Sequence, residues 1–179
     1  EVWTSGLAQY LCGESPCGWR FQFKAKHKTF EKVPSDFDSA GWKIKHTDAL
    51  KVEAAALEAN GWKCRIETYV RVTGKTGVLV GKIDIIAQKG GVTKVIDVKS
   101  GEPKASHAVQ VAIYLVALPM AWETPKLFVT GEVVYADGTT VEVGPEQANE
   151  WKGRIFAGVR ELSAPESVAK RPGEQTCKW

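Results

Sequence analysis

At 179 residues the chain is long enough for one packed domain, or one domain with a small appendage. An apolar fraction of 44% supports a real core and excludes a disordered chain. Lys and Arg number 24 against 21 Asp and Glu, and the resulting charge of +3 permits a polyanionic partner without demanding one.

Residues 3–30 read as a helix capped by Ser5, a break rich in Gly, Pro and Cys, and a second helical or irregular stretch. The later part interleaves Trp19, Phe21 and Phe23 with Arg20, Lys24, Lys26 and Lys28. Such a pattern suits a nucleic-acid backbone with bases stacking nearby, and equally an amphipathic segment with solvated lysines. Residues 31–39 form a polar linker. Residues 40–60, rich in Ala, Leu, Glu and Lys, predict a helix that Asn60-Gly61 stops. His46 lies on this helix, as a surface residue, a packed one or a ligand.

From Trp62 to Val72, Cys64, Ile66, Thr68 and Val70 alternate with polar or larger residues, the pattern of a half-buried strand. The turn at 73–77 contains glycines around Lys75, but its spacing does not fit a phosphate-binding loop and no helix follows. Segments 78–87 and 93–99 complete a three-stranded antiparallel meander, with Gly90-Gly91 in the last turn. Three charges sit inside these apolar strands: Asp84, Asp97 and Lys99. Buried charges without partners cost several kcal/mol, on the order given by desolvation. Asp97 and Lys99 are two apart and share a face, which Asp84 can reach from the next strand. Two carboxylates and an ammonium converging on a sheet suit a hard divalent cation and a phosphate.

A helix is predicted over Ser106 to Leu118, capped by Ser106 and ended by Pro119. Gln110 and Tyr114, four apart on one face, are read as its only large polar groups. A hairpin, 127–135 with 140–143, and a helix opened by Pro145 and running over 146–162 follow. The tail from Ser163 is polar. The apolar run 108–122 holds Gln110 and Pro119 and is too short to span a bilayer, and no signal peptide opens the chain. Its ends read as the limits of an ordered core. The fold class expected is α/β (α+β), a mixed central sheet flanked by helices.

Three blocks in order carry a resemblance: Gly81-Lys82-Ile83-Asp84, then Ile96-Asp97-Val98-Lys99-Ser100-Gly101, then Gln110 through Tyr114. Together they resemble the PD-(D/E)XK nuclease superfamily, most of all its RecB-like exonucleases and the CRISPR-associated branch. The likeness covers residues 40–136 and implies a restriction-endonuclease-like core within 40–162. That core would carry an N-terminal segment, 1–39, and a tail, 163–179. It implies a metal-dependent deoxyribonuclease, acting as an exonuclease on single strands or duplex ends in recombination, repair, phage or CRISPR-related processing. The alternative is a silent DNA-binding or recruitment relative.

By the same resemblance Asp84, Asp97 and the Val98 carbonyl would hold Mg²⁺ or Mn²⁺, joined by His46. Lys99 would position the attacking water, and Gln110 and Tyr114 would brace the site and contact the DNA backbone. A cytoplasmic, bacterial or phage-encoded protein is expected. Related nucleases hold an iron–sulfur cluster on one N-terminal and three C-terminal cysteines. Cys17 and Cys177 resemble parts of that set, but four thiolates are needed and only one cysteine lies near the C-terminus. Cys12, Cys17, Cys64 and Cys177 are read as reduced thiols of a cytosolic protein, with a secreted disulfide framework as the other reading.

Overall fold

The structure is a computed structural model that describes residues 1–15, 17–31 and 36–171. Cys177, and with it the reading of the C-terminal cysteine, lies outside them. Among the described residues no helix is long and apolar enough to cross a membrane.

Among the described residues eleven elements follow one another: β1 (Val2–Trp3), α1 (Thr4–Leu11), α2 (Gly18–Lys26), α3 (Ser39–Ala59), β2 (Lys63–Thr73), β3 (Val78–Lys89), β4 (Val92–Lys99), α4 (Ala105–Ala121), β5 (Val129–Tyr135), β6 (Thr140–Val143) and α5 (Pro145–Ser163). The strands form a six-stranded mixed sheet. β2, β3 and β4 make the expected antiparallel meander, and α4 then crosses over to β5, which runs parallel to β4. The β3–β4 hairpin closes on Gly90 and Gly91 alone, at φ 57° and 83°. Two successive left-handed residues make a turn that continues the strand twist, which is why glycines stand there.

Helices cover both faces. α4 carries the apolar side chains Val111, Tyr114, Leu115 and Leu118 onto Ile83, Ile86, Val95 and Val133. On the other face α3 lays Leu50 and Ala54 over Ile85, Ala87, Ile96 and Val98. Nothing else on the 21-residue α3 is buried.

Four expectations need correction. The chain forms a short strand, β1, before the first helix, and Trp3 rather than Ser5 precedes α1. α4 starts after Lys104, so Ser106 lies inside it; its backbone N–H is bonded by the Glu14 carboxylate, 2.9 Å away. Pro119 does not end α4, which runs to Ala121. A proline in the final turn forfeits only one bond, and Trp122 N–H still reaches Leu118 O at 3.0 Å. Lastly, the unbroken alternation read in 64–70 does not keep one face. Cys64 packs on the α3 side, whereas Val70 packs on the α4 side.

That last departure locates a feature. β2 and β3 pair throughout, except that Glu67 and Asp84, which the register places opposite one another, are not paired. Glu67 has φ 53°, a left-handed value that side chains rarely adopt outside special sites. Both strands change faces there: Ile83 belongs with the α4 side, but Ile85 with the α3 side. A local twist of this kind re-aims side chains.

Candidate active site

The β3–β4 ladder stops at Ile85–Ile96, one step before Asp84 and Asp97 would pair. From there the strands diverge into a fork. Backbone groups released by the fork need other partners. Val98 N–H donates to Asp84 Oδ2 at 2.8 Å, and the Lys82 carbonyl accepts from the Tyr114 hydroxyl at 2.9 Å. The polar side chains placed in these strands thus complete the broken ladder and line the opening.

Asp84 and Asp97 are both buried, at 8% and 1% exposure. Gln110 Nε2 donates to Asp97 Oδ1 at 3.1 Å and to Tyr114 Oη at 3.2 Å, while Gln110 Oε1 accepts from Lys99 Nζ at 3.2 Å. Only one amide orientation serves all three, since a carboxylate needs a donor and an ammonium an acceptor. Lys99 Nζ also lies 2.9 Å from Asp97 Oδ2. That contact is an ion pair outside hydrogen-bond geometry, and Asp97 Oδ2 is left buried without a hydrogen-bond partner. Burial is the main reason the Asp97 carboxyl is pushed up to about 6, with Lys99 opposing the rise and Asp84 adding to it.

His46 comes in from α3. Its Nε2 is 3.6 Å from Asp84 Oδ1, and that carboxylate raises its pKa against the opposing effect of burial. Its ring stacks on Trp42, with centroids 5.0 Å apart and 8° between planes, and Trp42 Nε1 donates to Ser100 Oγ at 3.2 Å. The fork therefore brings together Asp84, Asp97, Val98, Lys99, Gln110 and Tyr114, with His46 at its edge. All of these except Tyr114 line a cleft of about 480 Å³, with Glu67, Lys82, Lys104 and His107. A larger cavity of about 570 Å³, bounded by Leu115, Met120, Phe128 and Lys152, holds none of them.

Two residues that the sequence reading passed over belong to the site, Thr4, which is buried, and His107, which is partly exposed. Thr4 Oγ1 donates to Tyr114 Oη at 3.0 Å, so the N-terminal segment reaches the network. His107 lies three residues before Gln110, and the spacing i, i+3, i+7 through Tyr114 was the available signal. Thr4→Val keeps the shape but removes a donor. It is expected to lower stability by about 1 kcal/mol, read as a shifted urea midpoint at constant m.

The aromatic and basic stretch 19–28 lies elsewhere, and none of its residues lines the cleft. Phe21 is core, and Gln22 Nε2 binds carbonyls at the end of α5 and beyond, Glu166 O at 2.7 Å among them. The thiols of Cys12, Cys17 and Cys64 are free, and burial raises the pKa of Cys12 and Cys64.

Among the described residues no three His, Cys, Asp or Glu side chains form a ready-made metal cluster. Lys99 and the Val98 N–H engage the two carboxylates instead. The donor set still fits a hard cation: Mg²⁺ is bound through one or two carboxylates and keeps several waters. Asp97 Oδ2, buried beside a second carboxylate and met by the Lys99 ammonium alone, is the oxygen such an ion would engage.

A family model described as the PD-(D/E)XK nuclease superfamily matches residues 19–179. The crystal structure of SSO0001 superposes with a TM-score of 0.54 at 16% identity, over 92% of this chain and 77% of that one, a likeness of fold. The crystal structure of a protein of unknown function, AF1548, aligns over 62% of this chain and 54% of that one, at 16% identity and a TM-score of 0.35. No curated protein matches the chain.

Proposed function

Since the chain belongs to the PD-(D/E)XK nuclease superfamily, we propose that it is a divalent-metal-dependent deoxyribonuclease whose reaction takes place at the β3–β4 fork. Asp84, Asp97 and the Val98 carbonyl hold Mg²⁺ or Mn²⁺, and His46 is a further ligand. The observation that carries the reading is the convergence at the fork of two buried carboxylates, Asp84 and Asp97, with Lys99 Nζ 2.9 Å from Asp97 Oδ2. When bound, the cation lowers the pKa of a water, neutralises charge developing on the phosphate and orients it.

The chain's own residues do the rest. Gln110 fixes Lys99 and Asp97 relative to each other through one amide. Lys99, partly exposed to the cleft, keeps donors free to orient the attacking water and to meet charge on a phosphate oxygen. Tyr114 holds the Lys82 carbonyl and so keeps β3 away from β4. The resemblance of the ordered motif trio to RecB-like exonucleases supports exonuclease action on single strands or duplex ends. A cytoplasmic setting suits free thiols.

DNA labelled at either end, single- and double-stranded, tests this with Mg²⁺, Mn²⁺ and a chelator. Metal-dependent shortening that Lys99→Ala removes is expected. Undiminished cleavage by Lys99→Ala would sink the assignment, and salt-sensitive binding without cleavage by the wild type would favour a silent DNA-binding relative.

A further inference from the structure

We propose that His107 is a substrate-contact residue, its Nε2–H donating to a phosphate oxygen of the nucleic-acid strand beside the scissile linkage. This rests on the nuclease reading above. His107 lines the cleft together with Lys99, Lys104 and Gln110. It shares a stripe of α4 with Gln110, one turn or about 5 Å nearer the helix N-terminus. Gln110 touches both Asp97 and Lys99. A group one turn away stands about one nucleotide from the reacting phosphate.

The ring is anchored through Nδ1. His107 Nδ1 is 3.1 Å from Tyr135 Oη. In the tautomer that leaves Nε2 as the donor, the Tyr135 hydroxyl donates to Nδ1 across this contact. Nδ1 then accepts, and the ring proton sits on Nε2. The charged and titratable groups around it come from four elements: Glu14 after α1, Lys99 on β4, Lys104 before α4 and Tyr135 on β5. Burial and the two lysines disfavour a cationic ring, so a neutral donor faces the cleft at ordinary pH. The Glu14 carboxylate is engaged with the Ser106 N–H. Among the described residues no carboxylate forms an ion pair with Lys104 or His107. A phosphate supplies the acceptor that these donors lack.

Three substitutions separate contact from scaffolding. His107→Leu removes both ring nitrogens, His107→Asn keeps an amide near the Nδ1 position, and His107→Gln places one near Nε2. Affinity for a labelled single-stranded oligonucleotide is measured with Ca²⁺ in place of Mg²⁺, alongside cleavage in Mg²⁺ and thermal unfolding. Leu and Asn are expected to weaken binding about 5- to 10-fold, with Gln recovering most of it. A series with one uncharged methylphosphonate linkage per oligonucleotide adds a second readout. One linkage should weaken wild-type binding by a similar factor and leave His107→Leu unaffected. Rescue by Asn instead of Gln, unchanged affinity in all three variants, or additive penalties at every linkage would overturn the contact. Wild-type protein that neither binds nor cleaves DNA would overturn the nuclease reading itself, whereas cleavage matched by His107→Leu overturns only this inference.

Discussion

Asp97→Asn is expected to lower phosphodiester hydrolysis by at least about 10²- to 10³-fold, and at the same time to stabilise the metal-free protein near neutral pH. The two effects have one cause. Asp97 is 1% exposed, and burial raises its carboxyl from the ordinary 3.8 to about 6. A folded-state pKa above the unfolded one means that the folded chain holds the extra proton between these values. Stability from this group is thus fully present below pH 3.8 and lost as pH rises through about 6. Asparagine resembles the protonated acid and escapes that loss. The difference between variant and wild type should grow over this window to about 1–3 kcal/mol. His46, raised above its ordinary 6.5, loses its own contribution as pH rises above that value, in variant and wild type alike. Urea unfolding in chelator at several pH values checks the sign. Added Mg²⁺ should stabilise the wild type and do little for the variant. A variant less stable than the wild type at pH 7 without metal would show that the Lys99 pair outweighs burial.

Gly81→Ala is expected to damage both stability and activity, although alanine is the smallest possible change. An added Cβ would lie 2.5 Å from Thr4 Oγ1, 2.7 Å from Thr4 Cγ2 and 2.7 Å from Tyr114 Cε1. A Cβ does not pack that closely on its neighbours, so either α1 or the Tyr114 ring must move. Overpacking of this kind costs about 1–3 kcal/mol, or roughly 2–10 °C in Tm for a chain of this size. Displacing Tyr114 also releases the Lys82 carbonyl and disturbs Gln110, so turnover should fall further than stability explains. Thr4→Ala removes two of the three clashing atoms. Gly81→Ala with Thr4→Ala should therefore be more stable than the sum of the single changes. Strict additivity would mean that the clash is relieved elsewhere. The glycine that opens the Gly81–Asp84 block is thus required by close approach of the Tyr114 ring, not by backbone conformation.

These cases show which parts of the site could be seen in the chain. Asp84, Asp97 and Lys99 were legible because charges inside β-branched strands stand out, and a period of two fixes their shared face. Gln110 and Tyr114 were legible because helical spacing joins them. The meander was legible from alternation and its glycine turn. What escaped depends on distant pairing. β1 is two residues long and exists through its parallel pairing with Leu79 and Val80. Thr4 meets Tyr114 across 110 residues, which no local pattern records. The left-handed Glu67 and the change of face beside it arise from two strands twisting together. His107 was open to the same spacing argument as Gln110, and was passed over because the helix was read as apolar elsewhere.

The ligands proposed at the fork do not share one foundation. Asp84 and Asp97 stand on strands with cores on both sides. His46 rides on the first half of a helix whose buried anchors, Leu50 and Ala54, both lie C-terminal to it. Trp42 with Ser100, and His46 with Asp84, are the contacts that tie this half to the fork. Such a segment can lift away at far less free energy than global unfolding. Whatever affinity His46 adds is then scaled by the fraction of molecules in which that lever is down. Changes on the outer surface of α3, remote from any reacting atom, would in this way set how tightly the proposed site holds an ion.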